Sequence, residues 1–143
     1  MKSLKRTLCT VLCIILTAAS LPFTAFAASN EEIIYNFLKT EMTDMNSAAI
    51  CGMMAGIYSE SSFKPDAIYT EKDGSQSYGI CQWNKGRLEA LKNFCTKNKL
   101  DYQTLDAQLS YLKYELLETS ENTGYKLICS VSDNQSGAYK GGY

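Results

Sequence analysis

Residues 47–59 read as a helix that cannot stand alone. Asn46 before it is a good N-cap, and the alanines that follow favour helix. Ala49, Ile50, Met53 and Ile57, at i, i+1, i+4 and i+8, make one apolar stripe. Gly52 and Gly56 weaken an isolated helix and let another backbone approach closely. The segment is therefore expected to be buried against other elements. Pro65 disfavours helical backbone at Lys64, so the helix should end near Glu60 to Phe63.

That ending puts Glu60 at the negative end of the helix macrodipole. Partial burial would add to the same effect, and both favour a carboxylic acid that keeps its proton. Such a group can donate to a leaving-group oxygen, as glycosidases require. Position alone also fits an ordinary solvated Glu. The next stretch bears on that choice. Thr70 to Gln76 is polar, with Asp73-Gly74 as a turn signal, and suggests a loop or small hairpin returning toward the helix. Gly79 would let backbone come close to a sugar. Tyr78 and Trp83 offer flat faces for stacking, or core packing. Gln82 has donor and acceptor atoms for hydroxyl and acetamido groups, or caps the helix that follows.

Taken together, Ala49-Ile50-Cys51-Gly52-Met53-Met54, Ser59-Glu60-Ser61-Ser62-Phe63-Lys64-Pro65 and Tyr78-Gly79-Ile80-Cys81-Gln82-Trp83 resemble the phage-tail lysozyme family. That family is part of the lysozyme-like superfamily, with goose-type lysozymes and soluble lytic transglycosylases. The resemblance covers roughly residues 31–118. It implies a mainly α, α+β lysozyme-like fold with a short β-hairpin or loop segment beside the catalytic helix. It implies that Glu60 is the general acid and that Tyr78, Gly79, Gln82 and Trp83 line the cleft; Ser77 opens the same segment and is grouped with them. Relatives usually continue into a last helix. Here that helix is expected to be lacking, with residues 118–143 an irregular, truncated tail.

The implied substrate is bacterial peptidoglycan. Three routes remain open for the positive charge that develops on the sugar ring. One is inverting hydrolysis, with Asp66, Glu71 or Asp73 holding water and Asp73 favoured for its place in the turn. The second is a retaining route through one of the same residues. The third is attack by the sugar's own 6-hydroxyl, as in lytic transglycosylases. Hydrolysis is preferred because the motifs are nearest to lysozymes. The alternative from another class is a wall-binding protein without activity.

The first residues look like a signal peptide. Lys2, Lys5 and Arg6 precede the apolar run Leu8–Leu21, and Ala25-Phe26-Ala27 fits a cleavage site. Residues 1–27 are thus expected to be removed, leaving one domain over 28–143, secreted to the cell exterior or wall. Three of the 14 basic residues but none of the 15 acidic ones lie in that leader, so the remainder is more acidic than the whole chain's net −1. Nucleic-acid binding would call for a basic face. A monomer is expected, with membrane contact only through the signal peptide. Cys51, Cys81, Cys95 and Cys129 remain after the leader and are disulfide candidates in an exported chain, with pairing open. The chain has no histidine, which excludes Ser-His-Asp and Cys-His sites and His-ligated zinc. Carboxylate chemistry needs none, and neither metal nor cofactor is implied.

Three more helices are expected. Ser29 with Glu32 forms a capping box for one over about 31–40. Leu88, Leu91 and Cys95 mark another over 85–98. Leu105, Leu109, Leu112 and Leu116 form a core stripe over 104–118. Glu115, near the end of that helix, is expected to be structural, though a second functional acid is conceivable there.

Overall fold

The computed structural model describes residues 27–134. The expectations made of the leader fall almost wholly outside those residues. Five helices and a small sheet follow in order: α1 Asn30–Glu41, α2 Ser47–Ser61, β1 Ile68–Thr70, β2 Gln76–Tyr78, β3 Trp83–Asn84, α3 Lys85–Asn98, α4 Leu105–Glu118 and α5 Asn122–Cys129. This is the mainly α, α+β architecture expected.

The helix ends follow local chemistry. Ser29 accepts from the Glu32 amide to start α1, Asn46 from Ala49 to start α2, and Thr104 from Ala107 to start α4. α2 ends at Ser62, whose left-handed backbone donates its N–H to the Tyr58 carbonyl, three residues before Pro65. The glycine argument holds at Gly52, which is buried with Ala48, Ala49, Ile50 and Ile57. α1 covers α2 with Ile34 and Leu38, neither of which has exposed surface. Leu109, Leu112 and Leu116 bury the α4 stripe, while Leu105 at its start is only partly covered.

The three strands are antiparallel in the order β1-β2-β3. Their register creates two rows, Tyr69–Ser77–Asn84 and Ile68–Tyr78–Trp83. Side chains alternate across a strand, so the rows occupy opposite faces. Tyr78 and Trp83 of the second row plug into the body, while Ile68 at its edge stays exposed: Trp83 has 0% exposure, and its ring meets Tyr111 of α4 edge-on with centroids 5.6 Å apart. Gly74, at φ +82°, closes the β1–β2 turn where Asp73-Gly74 predicts one.

One expectation is corrected. The segment after residue 118 is not all irregular, because α5 forms there and packs on α4. Tyr125 is buried, with Ile128 and Cys129 partly buried beside it, at the i, i+3, i+4 spacing of one helical face. Asn122 Nδ2 donates to the Leu116 and Leu117 carbonyls and so takes up two of the free acceptors at the end of α4. Asp133 then caps α2, accepting from the Ala48 amide at 3.0 Å.

Candidate active site

Glu60 occupies the last turn of α2 and is exposed. Its carboxylate makes no hydrogen bond or ion pair among the described residues. The macrodipole placement is as expected; the partial burial is not found. The next residue supplies the anchoring. Ser61 is buried, and its hydroxyl lies 3.0 Å from both the Ile57 and Ile80 carbonyls, sharing one proton between them. The helix end is thereby fastened to the Gly79–Gln82 turn.

That turn is held from several sides. The Gly79 amide donates to the Ala67 carbonyl at 2.8 Å, and Gln82 Nε2 donates to the Ala67 and Gly79 carbonyls. The Ile80 amide donates to Gln108 Oε1 at 2.9 Å, while Gln108 Nε2 donates to the Pro65 and Tyr102 carbonyls. Gln108 has no exposed surface. Four non-glycine residues with positive φ, Ser62, Phe63, Gln82 and Lys85, flank these contacts. Each such residue costs on the order of 1–3 kcal/mol, and strain of this kind gathers at functional sites.

The residues expected to line a cleft are placed differently from one another. Trp83 is corrected outright: it is wholly buried, and its Nε1 donates to Glu115 Oε2 at 2.9 Å, so no face is free for a sugar. Tyr78 is buried against Tyr102, ring centroids 5.3 Å apart, and burial pushes its phenol above the usual tyrosine range. Gly79 admits Gln108 rather than a sugar: a Cβ there would lie 2.6 Å from Gln108 Oε1. Ser77 is 2% exposed and donates to Glu71 Oε1 at 2.6 Å. These four build the wall. Gln82 is only partly buried as a residue, but its Oε1 is itself buried and accepts nothing from the described residues.

Asp73 also differs from expectation. It accepts from Lys85 Nζ at 2.6 Å and from both the amide and hydroxyl of Ser75. The Lys85 ammonium, then the Ser75 donors, hold its carboxyl well below the usual carboxylate range. Its acceptors are occupied in organising the turn. Glu115 is buried at 3% exposure with four donors upon it: Trp83 Nε1, Arg87 Nε and Nη2 at 2.9 and 2.8 Å, and Tyr111 hydroxyl at 3.3 Å. It ties β3, α3 and α4 together, the structural role expected of it.

The disulfide expectation is also corrected, since all four cysteines of the described residues are free thiols. Cys51 is exposed on α2, whereas Cys95 is buried in the core. Cys129 shares a hydrogen bond with Tyr125 one turn earlier. Burial, then the Glu115 charge and more weakly Glu60, pushes the Cys81 thiol up to about 12, against Arg87 acting the other way. Glu60 and Cys81 therefore lie close enough to feel one another's charge. Among the described residues no group of three or more acidic or cysteine side chains gathers as metal ligands would.

Gln108 and Arg87 escape the sequence reading, and Ser61 enters it only as part of a motif, without its anchoring role. One signal was present: Gln108, Leu112 and Glu115 lie at i, i+4, i+7, so two polar residues share the buried face of α4.

A helical body, a small antiparallel sheet and an unpaired Glu at a helix end fastened to a Gly-turn-Gln segment define a lysozyme-like domain. The family model of phage tail lysozymes matches residues 29–140, and the chain belongs to that family. Membership points to a lysozyme-like function acting on peptidoglycan. No curated protein matches the chain by sequence.

Proposed function

We propose that the chain is a secreted peptidoglycan glycan-strand hydrolase, a muramidase, with Glu60 as its general acid. The observation that carries this reading is the contrast at the end of α2. Glu60 is exposed and unpaired among the described residues, while the residue after it is buried and pinned to the Gly79–Gln82 turn. An acid on a fixed backbone with no internal partner is free to protonate a ligand. In the reaction Glu60 gives its proton to the glycosidic oxygen between N-acetylmuramic acid and N-acetylglucosamine. The bond to the muramic C1 breaks, and water supplies the new hydroxyl. Gln82 braces the turn to which α2 is pinned, its amide nitrogen donating to the Ala67 and Gly79 carbonyls. Secretion rests on the basic start, apolar run and Ala-Phe-Ala site of residues 1–27.

The test is mass spectrometry of purified peptidoglycan incubated with the protein, with Glu60→Gln alongside. Soluble muropeptides with free reducing ends, absent with the variant, are expected. Products lighter by one water would replace hydrolysis with transglycosylation. No products from a folded sample would leave a wall-binding protein.

A further inference from the structure

We propose that Glu71, not Asp73, is the second carboxylate of the reaction, acting as the base that activates the attacking water; this rests on the glycosidase reading above. Three acids in the hairpin region are available, and their surroundings separate them. Asp73 is bound to Lys85 and Ser75. Asp66 is exposed and no hydrogen bond from the described residues orients it. Glu71 alone is half-buried and held by one oxygen only.

The hold is built. Ser77 Oγ donates to Glu71 Oε1 at 2.6 Å, in the range of strong charge-assisted bonds. Asn84 Nδ2 in turn donates to Ser77 Oγ at 2.9 Å. Ser77 and Asn84 are cross-strand partners, so the sheet register itself sets this relay. It fixes the Glu71 carboxylate in place, while Oε2 accepts nothing among the described residues. Glu71 lines a cavity of about 440 Å³ that Tyr69, 60% exposed, also borders. That volume falls within the usual range of ligand sites.

The way the two acids are held assigns the role. Ser61 ties the end of α2 to the Ile80 carbonyl, and Ser77, which holds Glu71, lies three residues before Ile80, so one strand and turn carries the supports of both acids. A carboxylate fixed through one oxygen with the other free can accept a proton from water, the part played by the second acid of an inverting pair. Glu71 therefore takes a proton from water as the water oxygen bonds to the muramic C1. The C1–oxygen bond breaks, and its electron pair leaves on the N-acetylglucosamine oxygen, which takes the Glu60 proton. One water is consumed and the new reducing end has inverted, α configuration. Glu71 then releases its proton to solvent and Glu60 regains one.

The experiment is reducing-end release from purified peptidoglycan by the wild type, Glu60→Gln, Glu71→Gln and Asp73→Asn, with wild-type products followed by proton NMR as they form. Glu71→Gln keeps an acceptor for Ser77 and is expected to fold, as circular dichroism will check. Its kcat should fall by about 10²-fold or more with KM little changed, Asp73→Asn should stay within a few-fold of wild type, and the α anomer should appear first. The proposal is overturned by near-normal activity in Glu71→Gln, by a β anomer first, or by anhydro products. The NMR readout decides even if a variant fails to fold. No reducing ends from the folded wild type would instead remove the muramidase reading itself, near-normal activity in Glu60→Gln would remove Glu60 as its acid, and a loss confined to Glu60→Gln would remove only Glu71.

Discussion

Glu60 and Glu115 are the same residue type, each in the last turn of a long helix, and the fold treats them oppositely. Glu115 is buried and receives four donors from three elements. Glu60 is exposed and receives none from the described residues. Both face a helix C-terminus, so the macrodipole does not distinguish them. What does is the supply of partners. A carboxylate saturated with internal donors can hold elements together but has nothing left for a substrate. A carboxylate on a fixed backbone without partners can act on whatever enters. The Arg87–Glu115 pair also shows that an acid whose charge reaches Cys81, as that of Glu60 does, can be wholly structural.

Two substitutions break the comparison from either side. Glu60→Gln should cost about 10²–10⁴-fold in wall cleavage, the usual worth of a positioned acid, with no change in melting temperature. A parallel drop in melting temperature would mean that Glu60 is structural after all. Glu115→Ala should do the reverse in kind. It leaves the buried Trp83 and Tyr111 donors without their shared acceptor, and each such unmade bond costs about 1–3 kcal/mol, while Arg87, with a side chain 52% exposed, can turn to water. Urea titration followed by Trp83 fluorescence reads that loss directly, since the only tryptophan of the chain donates to the deleted group.

Gly79→Ala comes next in size. Left-handed backbone costs a residue with a Cβ about 1–2 kcal/mol. The new methyl would also displace Gln108, whose Oε1 it would approach to 2.6 Å, and so disturb the bond to the Ile80 amide. A loss of roughly 2–4 kcal/mol in urea is expected, since an unmade buried bond adds about 1–3 kcal/mol. If Gly79→Ala is instead fully stable but inactive, the glycine faces a sugar and not Gln108.

A subtler effect is confined to alkali. The Cys81 thiol titrates at about 12 in the folded chain, above its ordinary value of 9.0. Its stabilising contribution is therefore complete below about pH 9 and is lost as pH rises through that window toward 12. The Tyr111 and Tyr125 phenols are also raised, chiefly by burial, and act in the same direction. Thermal midpoints should fall above pH 9, and Cys81→Ala should flatten the decline. An unchanged slope in that variant would show that the tyrosines alone carry it.

The helices α1 to α4 and the Asp73-Gly74 turn were legible because their signals are local: Ser29, Asn46 and Thr104 cap within three residues, and the α4 stripe repeats along one face. The short helix α5 was not, because its few apolar residues need α4 beneath them to count as a face. Glu60 stood out because Pro65 ends the helix just after it and because the Glu-Ser pair belongs to the motif that resembles the family. Trp83 and Tyr78 were misplaced for a physical reason: an aromatic ring has the same signature in a sequence whether it faces a sugar or a core. The bonds that decide the matter span long separations, from Trp83 to Glu115 and from Pro65 to Gln108, which no local pattern encodes. Cysteines are alike in this respect, since whether two of them meet depends on packing between elements.

The smallest expected effect repeats the opening contrast with ion pairs. Lys113 Nζ lies 2.8 Å from Glu41 Oε2 and joins α4 to α1, at the same distance as Arg87 Nη2 from Glu115 Oε2. Distance alone would rate the two alike. The Lys113 and Glu41 side chains are 40% and 48% exposed, however, while Glu115 is 4% exposed. Water and salt already solvate the exposed pair, so forming it gains about 0–1 kcal/mol. Lys113→Met should therefore leave the urea midpoint nearly unchanged, and whatever difference remains should vanish at 1 M salt, where the screening length is only about 3 Å. Arg87→Met should lose several times more and keep that loss at high salt, because the buried carboxylate it abandons is beyond the reach of counterions. Equal losses in the two variants would mean that burial does not set the worth of an ion pair in this fold.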